Sequence, residues 1–523
     1  MLRSLLTKKP YLLIIALSIC PLLRFVFDAL QGLDYLTYQY LADDAFYAFQ
    51  ISKHIPEFNT GIPNSGFHPL VVFLFAPLHR YLAYEYAIPL SLLILVLCYA
   101  LGTVILYRIL RAHWERSIAI LCCATWVVSG RLYTACMTGL ESMVAAFLVL
   151  VFFSYFVKLN QKPADDCHRS DLFFLGLSCG VAFLARMDSP LIVAPAMCVC
   201  LFRCLRARRY AGAMLAIVPA TLLPLAWIAY IHSQTGHFFP TSGEAIRVML
   251  GLEGRVFVPC SLALRSMDYL FTNCVLFFVL PPPHVSPYIP GAILAVLGVC
   301  AILVLARSNR VSARRGVLKL DCVVLSGLFL WCCYYTFFQG GFRDWYFAQL
   351  GIGVYGVYLP LVLGLFHHCA RVLRVTTMTS GIVVVFVGLS SQLGPMYPQE
   401  YDKYRSAIIA DKMFSELRLA GNIGAFNAGI YNYFTSMDVI NLDGVVNPEA
   451  LEAYKEDRLP EYIRQRNITY LIEADIGQDL NFERVYRDRR FKLAREADLT
   501  LFYPPYDDGY ERKTFLWKVE VLE

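Results

Sequence analysis

AIPLSLLILVLCYALGTVILYRIL, residues 87–110, decides the class of fold. This run carries a single charge, Arg108, and about 20 mostly apolar residues cross a bilayer as a helix. Comparable runs recur at 11–30, 117–134, 138–158, 172–187, 189–205, 211–231, 289–306, 319–338, 345–366 and 374–393, so the sequence predicts about eleven transmembrane helices. Residues 69–83 are apolar but short, and read as interfacial or re-entrant; 266–281 is open in the same way. The composition agrees. Of 523 residues, 58% are hydrophobic and 16% charged, against about 45–50% and about 25% for soluble domains. A disordered chain, a fibrous protein and an ordinary cytosolic enzyme are excluded, and an α-helical polytopic membrane protein is expected.

The net charge of +6 hides a split. Residues 1–394 hold 29 Lys+Arg and 17 Asp+Glu, whereas residues 395–523 hold 17 and 23. The chain therefore reads as a membrane body, 1–394, followed by a soluble acidic domain, 395–523. Basic residues gather in every second connection: Lys8-Lys9, Arg108/Arg111/Arg116, Lys158/Lys162/Arg169, Arg203–Arg209, Arg307–Lys319 and Arg371/Arg374. The excess of Lys and Arg marks cytoplasmic loops. With an odd number of spans, the N-terminus is cytoplasmic, and the loop 31–86, the loop 232–288 and the C-terminal domain all lie outside. The first apolar run lacks a small-residue cleavage site and contains Pro21 and Arg24, so it is expected to stay as a helix rather than leave as a signal peptide.

In the C-terminal part, Ile423–Gly429 and Val439–Gly444 read as short strands ending in turns. Residues 448–466 read as a helix opened by Asn447-Pro448, and Ile468–Glu473 as another strand. Alternation of strand and helix predicts a small α/β domain. No glycine-rich phosphate loop is present, so no nucleotide cofactor is expected, nor a nucleic-acid partner. None of the 17 cysteines falls in 395–523, and no CxxC pair occurs; neither a disulfide framework nor a structural zinc is expected.

The chemistry-bearing residues crowd into the expected outer loops. Leu41-Ala-Asp-Asp-Ala-Phe-Tyr-Ala-Phe-Gln50 sets two carboxylates, Asp43 and Asp44, in aromatic surroundings, and Asn64-Ser-Gly-Phe-His-Pro69 follows. A carboxylate near apolar surface makes a competent general base, because partial desolvation raises its proton affinity. The alternative is that Asp43 and Asp44 cap a helix over 44–54. Arg131, Glu141, Arg186 with Asp188, His232, His237, Arg247 and Arg343-Asp344 fall at outer ends of expected spans. Each alone fits a snorkelling side chain or a structural ion pair; together they fit an outer-face site. Aromatic residues such as Trp345-Tyr-Phe347 serve equally as an interfacial belt or as sugar platforms. Asn467-Ile-Thr469 is a formal glycosylation sequon, meaningful only in a eukaryotic lumen.

Asp43-Asp44-Ala-Phe-Tyr47, Asn64-Ser-Gly-Phe-His-Pro-Leu70, Thr138-Gly-Leu-Glu-Ser142, Phe183-Leu-Ala-Arg-Met-Asp188, Phe239-Pro-Thr-Ser-Gly243, Arg343-Asp-Trp-Tyr-Phe347 and Asn441-Leu-Asp-Gly-Val-Val-Asn447 occur in this order. In these blocks, spread from about residue 40 to 475, the chain resembles a family of multi-spanning bacterial membrane proteins of the GT-C glycosyltransferase superfamily. The resemblance implies a transferase that takes a sugar from a polyprenyl-phosphate donor to an acceptor hydroxyl on a lipid, glycan or protein, at the outer face of the cytoplasmic membrane. By position Asp43 matches the acidic residue proposed as base, with Asp44 beside it. His68, Arg186, Asp188, Arg343, Asp344, Glu141 and His237 are expected to bind substrate, Arg186 and Arg343 at the leaving phosphate. A divalent cation is used by some relatives and not by others, so metal dependence stays open. Two other readings remain: a transporter or flippase for a lipid-linked sugar, and a non-catalytic relative in envelope glycan assembly.

Overall fold

Breaks in the apolar runs decide where helices end. The computed structural model describes residues 10–163, 166–252, 255–276, 315–340, 343–368, 398–417, 421–474, 488–499 and 514–522. Among them six helices are long and apolar enough to cross a membrane: Tyr11–Leu30, Tyr84–Arg111, Ser142–Asn160, Ser189–Arg206, Tyr210–Thr235 and Leu320–Gln339. The pair Arg116–Val128 and Gly130–Met137, bent by 50°, makes a seventh if counted as one span. The protein is thus a mostly helical membrane protein, and its described residues show six or seven spans where eleven are expected. Two expected spans, 289–306 and 374–393, lie outside the described residues. The run 117–134 breaks at Ser129, whose Oγ accepts the Leu132 N–H and restarts the helix. The run 345–366 is interrupted by a π turn, Val354–Tyr358, between Phe347–Gly353 and Leu359–His368.

Contacts divide the chain into two units. The first comprises 1–28, 92–226 and 256–393. Its buried core is aromatic: Trp126 packs against Tyr99 and Tyr355, and the Tyr99 hydroxyl donates to the Trp126 carbonyl. Asp28, buried, accepts from the Tyr133 hydroxyl at 2.7 Å while Arg24 lies over the Tyr133 ring. A second π turn, Tyr335–Gln339, ends the helix Arg315–Tyr334. Such turns displace side chains from the regular helical face and recur at functional sites.

The second unit comprises 29–91, 227–255 and 394–523. Its sheet has five strands, β3 (Asn422–Ala425), β4 (Val439–Asn441), β5 (Ile468–Ala474), β6 (Phe491–Asp498) and β7 (Thr514–Val521), in the order β4-β3-β5-β7-β6; β1 (Glu57–Asn59) and β2 (Ile62–Pro63) form a separate hairpin. β3 runs parallel to β4 and β5, whereas β7 is antiparallel to β5 and β6. The core beneath it holds Phe426, Leu442, Ile463, Leu471 and Trp517. The α/β expectation holds, with two differences. The expected helix 448–466 is two helices, Pro448–Lys455 and Leu459–Gln465. Asp457 adopts a positive φ of 55° between them, and Pro460, lacking an N–H, fits only a first turn. Strands β6 and β7 extend the sheet beyond the elements expected from sequence.

Four helices of this unit position the acidic pair: α1 (Asp43–His54), α2 (Pro69–Tyr81), α3 (Pro398–Leu417) and α4 (Ala428–Phe434). α4 packs on α1 through Tyr433 and Phe434 against Phe46 and Phe49.

Candidate functional site

The seven sequence blocks gather into two clusters, one in each unit. In the second unit the 64–70, 239–243 and 441–447 blocks meet. Ser65 Oγ donates to the Phe239 carbonyl at 3.2 Å and accepts the Thr241 N–H at 3.1 Å. Thr241 Oγ1 donates to the Val445 carbonyl at 3.1 Å. Gly66 backs onto that carbonyl so closely that a Cβ there would lie 2.0 Å from it, which explains why the position carries no side chain. Asn441 Nδ2 donates to the Tyr47 hydroxyl at 3.3 Å, tying the 441–447 loop to α1, and Asn59 binds both Asp438 and the β4 backbone.

The acidic pair opens α1. Ala42 occupies the N-cap position and makes no side-chain cap bond, so the aspartates occupy the first turn, where negative charge is favoured, rather than the cap. Asp43 is 6% exposed. Its Oδ1 accepts the Ile430 N–H at 3.0 Å, and Lys403 Nζ stands 3.9 Å from its Oδ2. Asp44 is exposed. Tyr47, one turn on, is buried, and its phenol is pushed well up by that burial and then by the charges of Asp443, Asp43 and Asp44. Asp443 thus acts on the same turn of α1. It is a half-buried residue of the Asn441–Asn447 block whose spacing in the sequence carries no signal of that approach. His68 is half-buried at the N-cap of α2, and His237 half-buried after the helix Tyr210–Thr235.

Further along α1, His79 of α2 is buried. Ser91 Oγ donates to the Ala87 carbonyl and lies 3.0 Å from His79 Nε2, so Nε2 carries the proton and Nδ1 accepts from the Tyr433 hydroxyl at 2.8 Å. Burial, reinforced by Lys53, lowers the His79 pKa to about 3. The unfolded histidine, with a pKa near 6.5, takes up its proton first as pH falls. Stability from this site is therefore fully present above about pH 6.5 and is lost progressively toward pH 3, by roughly 3–5 kcal/mol at the acid end. Protection factors for hydrogen exchange at residues 428–434, referred to the unfolded-chain rate at each pH, are expected to fall between pH 7 and 4, and His79→Gln to flatten that dependence.

In the first unit the 138–142, 183–188 and 343–347 blocks converge on Arg186, which is 2% exposed. Its Nε and Nη2 donate to the two oxygens of Asp188 at 3.0 and 3.1 Å, and Nη1 donates to Glu141 Oε1 at 2.7 Å and Ser142 Oγ at 3.2 Å. Nη2 also donates to the Tyr335 hydroxyl at 2.8 Å. The five N–H groups of a guanidinium are thus all engaged within the chain. Its plane lies 4.2 Å over the Tyr346 ring. Asp188 Oδ2 further accepts from Trp331 Nε1 and the Tyr335 hydroxyl at 2.7 and 2.6 Å. Trp331 and Tyr335 lie in a predicted span, where an aromatic residue reads as lipid-facing or core; no local pattern distinguished them. Arg343 is exposed at the entry to a single 3-10 turn, Asp344–Tyr346; the Asp344 side chain lies outside the described residues. Arg131 is half-buried. Among the described residues, no group of three or more His, Cys, Asp or Glu side chains is placed to hold a metal ion.

This fold is found among solved structures. ArnT of Cupriavidus metallidurans bound to undecaprenyl phosphate is similar over 95% of this chain and 97% of its own, with a TM-score of 0.56 and 10% identity. The oligosaccharyltransferase of Archaeoglobus fulgidus in its apo form is similar over 90% of this chain and 70% of its own, with a TM-score of 0.54 and 13% identity. AglB from the same organism, in complex with an inhibitory peptide and a dolichol-phosphate, matches over the same shares with a TM-score of 0.54 and 12% identity. No protein-family model and no curated protein sequence matches the chain. The chain has the fold of the GT-C glycosyltransferases.

Proposed function

We propose that the protein is an integral membrane glycosyltransferase that moves a sugar from a polyprenyl-phosphate donor to an acceptor hydroxyl. The observation that carries this reading is the end-to-end likeness to ArnT bound to undecaprenyl phosphate. The acidic pair that opens α1 supports it from the chain's own chemistry. In a single displacement, the acceptor oxygen attacks the anomeric carbon as the phosphate leaves, and the configuration inverts. The acceptor's proton passes to a carboxylate of the Asp43–Asp44 pair, worth about 10²–10⁴ in rate. Charge grows on the departing phosphate and calls for a cationic donor. The donors of Arg186 are engaged with Glu141, Ser142, Asp188 and Tyr335, so Arg186, Glu141 and Asp188 are proposed to serve as a scaffold within the first unit. His68 and His237 are proposed contacts to substrate. The reaction is proposed to lie at the outer face of the cytoplasmic membrane, with the N-terminus cytoplasmic and the C-terminal residues outside, a reading that the loop charges support.

The test is sugar release or transfer by the purified full-length protein from a panel of synthetic polyprenyl-phosphate sugars. Turnover of one donor is the expected result and identifies the sugar. Donor binding without reaction, in the presence of lipid, glycan and peptide acceptors, favours a transporter and overturns the proposal.

A further inference from the structure

The two first-loop aspartates stand in opposite circumstances. Asp43 is turned into the protein. The N-cap residue of α4, Asn427, makes no side-chain cap bond, and the N–H of Ile430 in the first turn of α4 is satisfied instead by Asp43 Oδ1, from 387 residues away in sequence. The backbone of α4 approaches so near that a Cβ on Gly429 would lie 2.7 Å from the Asp43 carbonyl oxygen and 3.0 Å from Oδ1. Only a glycine admits that approach. An acceptor hydroxyl seeking Oδ1 therefore meets α4 in its place. Asp44 is one residue on, about 100° around the helix, and its side chain is exposed. Neighbouring carboxylates on one turn are thus divided between a buried contact with α4 and a solvent-exposed side chain.

We infer that Asp43 is a positioning residue, which holds α4 against the first long loop through the Ile430 N–H, and that Asp44 is the catalytic base. This rests on the glycosyltransferase reading. The acceptor O–H proton passes to the Asp44 carboxylate, the acceptor oxygen bonds to the anomeric carbon, and the bond from that carbon to the phosphate oxygen breaks. Its electron pair leaves with the polyprenyl phosphate. The assignment reverses the one implied by the position of Asp43 in the sequence block, and it gives the 428–434 segment a part in the site.

The amide replacements separate the roles, because asparagine keeps a carbonyl oxygen for the Ile430 N–H but cannot take a proton. Asp44→Asn is expected to lower kcat for transfer from a polyprenyl-phosphate sugar by about 10²–10⁴, with the donor KM and the melting temperature unmoved. Asp43→Asn is expected to lower kcat by at least about tenfold less than Asp44→Asn does. Asp43→Ala, which removes the acceptor oxygen, is expected to speed hydrogen exchange at Ile430 and its neighbours, and Asp43→Asn is expected to restore their protection. A folded Asp43→Asn protein without turnover, beside an active Asp44→Asn protein, overturns the inference and leaves the glycosyltransferase reading intact. Unchanged exchange at Ile430 in Asp43→Ala overturns the positioning role in the same way. Failure of the wild type itself to turn over any donor removes the reading, and with it the role given to Asp44.

Discussion

Arg186→Met in the full-length protein is expected to destabilise the first unit by about 3–5 kcal/mol, the cost of leaving a buried charge without its partner. The removed guanidinium forms an ion pair with each of two buried carboxylates, Glu141 at 2.7 Å and Asp188 at 3.0 Å. Water cannot replace it there, so the two carboxylates must protonate or the helix ends must separate. The thermal unfolding midpoint in detergent, together with the yield of folded protein, measures the effect. Adding Glu141→Gln and Asp188→Asn to Arg186→Met is expected to recover part of the loss, since it removes the stranded charges. Arg186→Lys is expected to recover little: one ammonium with three donors does not span the fork to Asp188 and also reach Glu141 and Tyr335. If Arg186→Met melts with the wild type, the buried network contributes nothing to the fold.

The second large effect is on activity. The double variant Asp43→Asn/Asp44→Asn is expected to lose sugar transfer by at least about 10²–10⁴ while still binding donor, because it removes every carboxylate from the first turn of α1. Asparagine at 43 keeps the hydrogen bond to Ile430, so the variant is expected to fold, which circular dichroism and the melting temperature check. Transfer at the wild-type rate by the double variant would remove the acid–base chemistry from this loop altogether.

The sequence made the membrane body legible because spans are long and chemically uniform: residues 87–110 needed no partner to be read. The acidic pair was legible for the opposite reason, as two charges among aromatic residues. The pairing of Arg186 with Asp188 was also visible, two residues apart. Their link to Glu141, 45 residues away, and to Trp331 and Tyr335, more than 140 residues away, was not. The same limit hid the contacts of Asp43 with Ile430 and of Asn59 with Asp438. Nothing local marks residues 29–91 as packing with 394–523, because each segment satisfies its own periodicity before the two meet. The helix over 448–466 was read as continuous because its apolar spacing runs through the break; Pro460 was the residue that argued otherwise. Strand β6 has little apolar patterning of its own, since Lys492, Arg495 and Glu496 interrupt it, and it reads as a strand only beside β7.

The long sequence separation within the second unit has a consequence for biogenesis. Asp43 emerges from the ribosome 387 residues before Ile430. At about 5–20 residues per second, roughly 20–80 seconds separate the two. Throughout that interval α1 has lost the shelter of the ribosome and has not gained its partner helix, so Phe46 and Phe49 stand without the Tyr433 and Phe434 rings that later cover them. The loop that carries the acidic pair is therefore among the first parts of the protein to be made and among the last to be finished, and a chain stopped before residue 428 would present an adhesive aromatic surface to whatever quality-control machinery surveys that compartment.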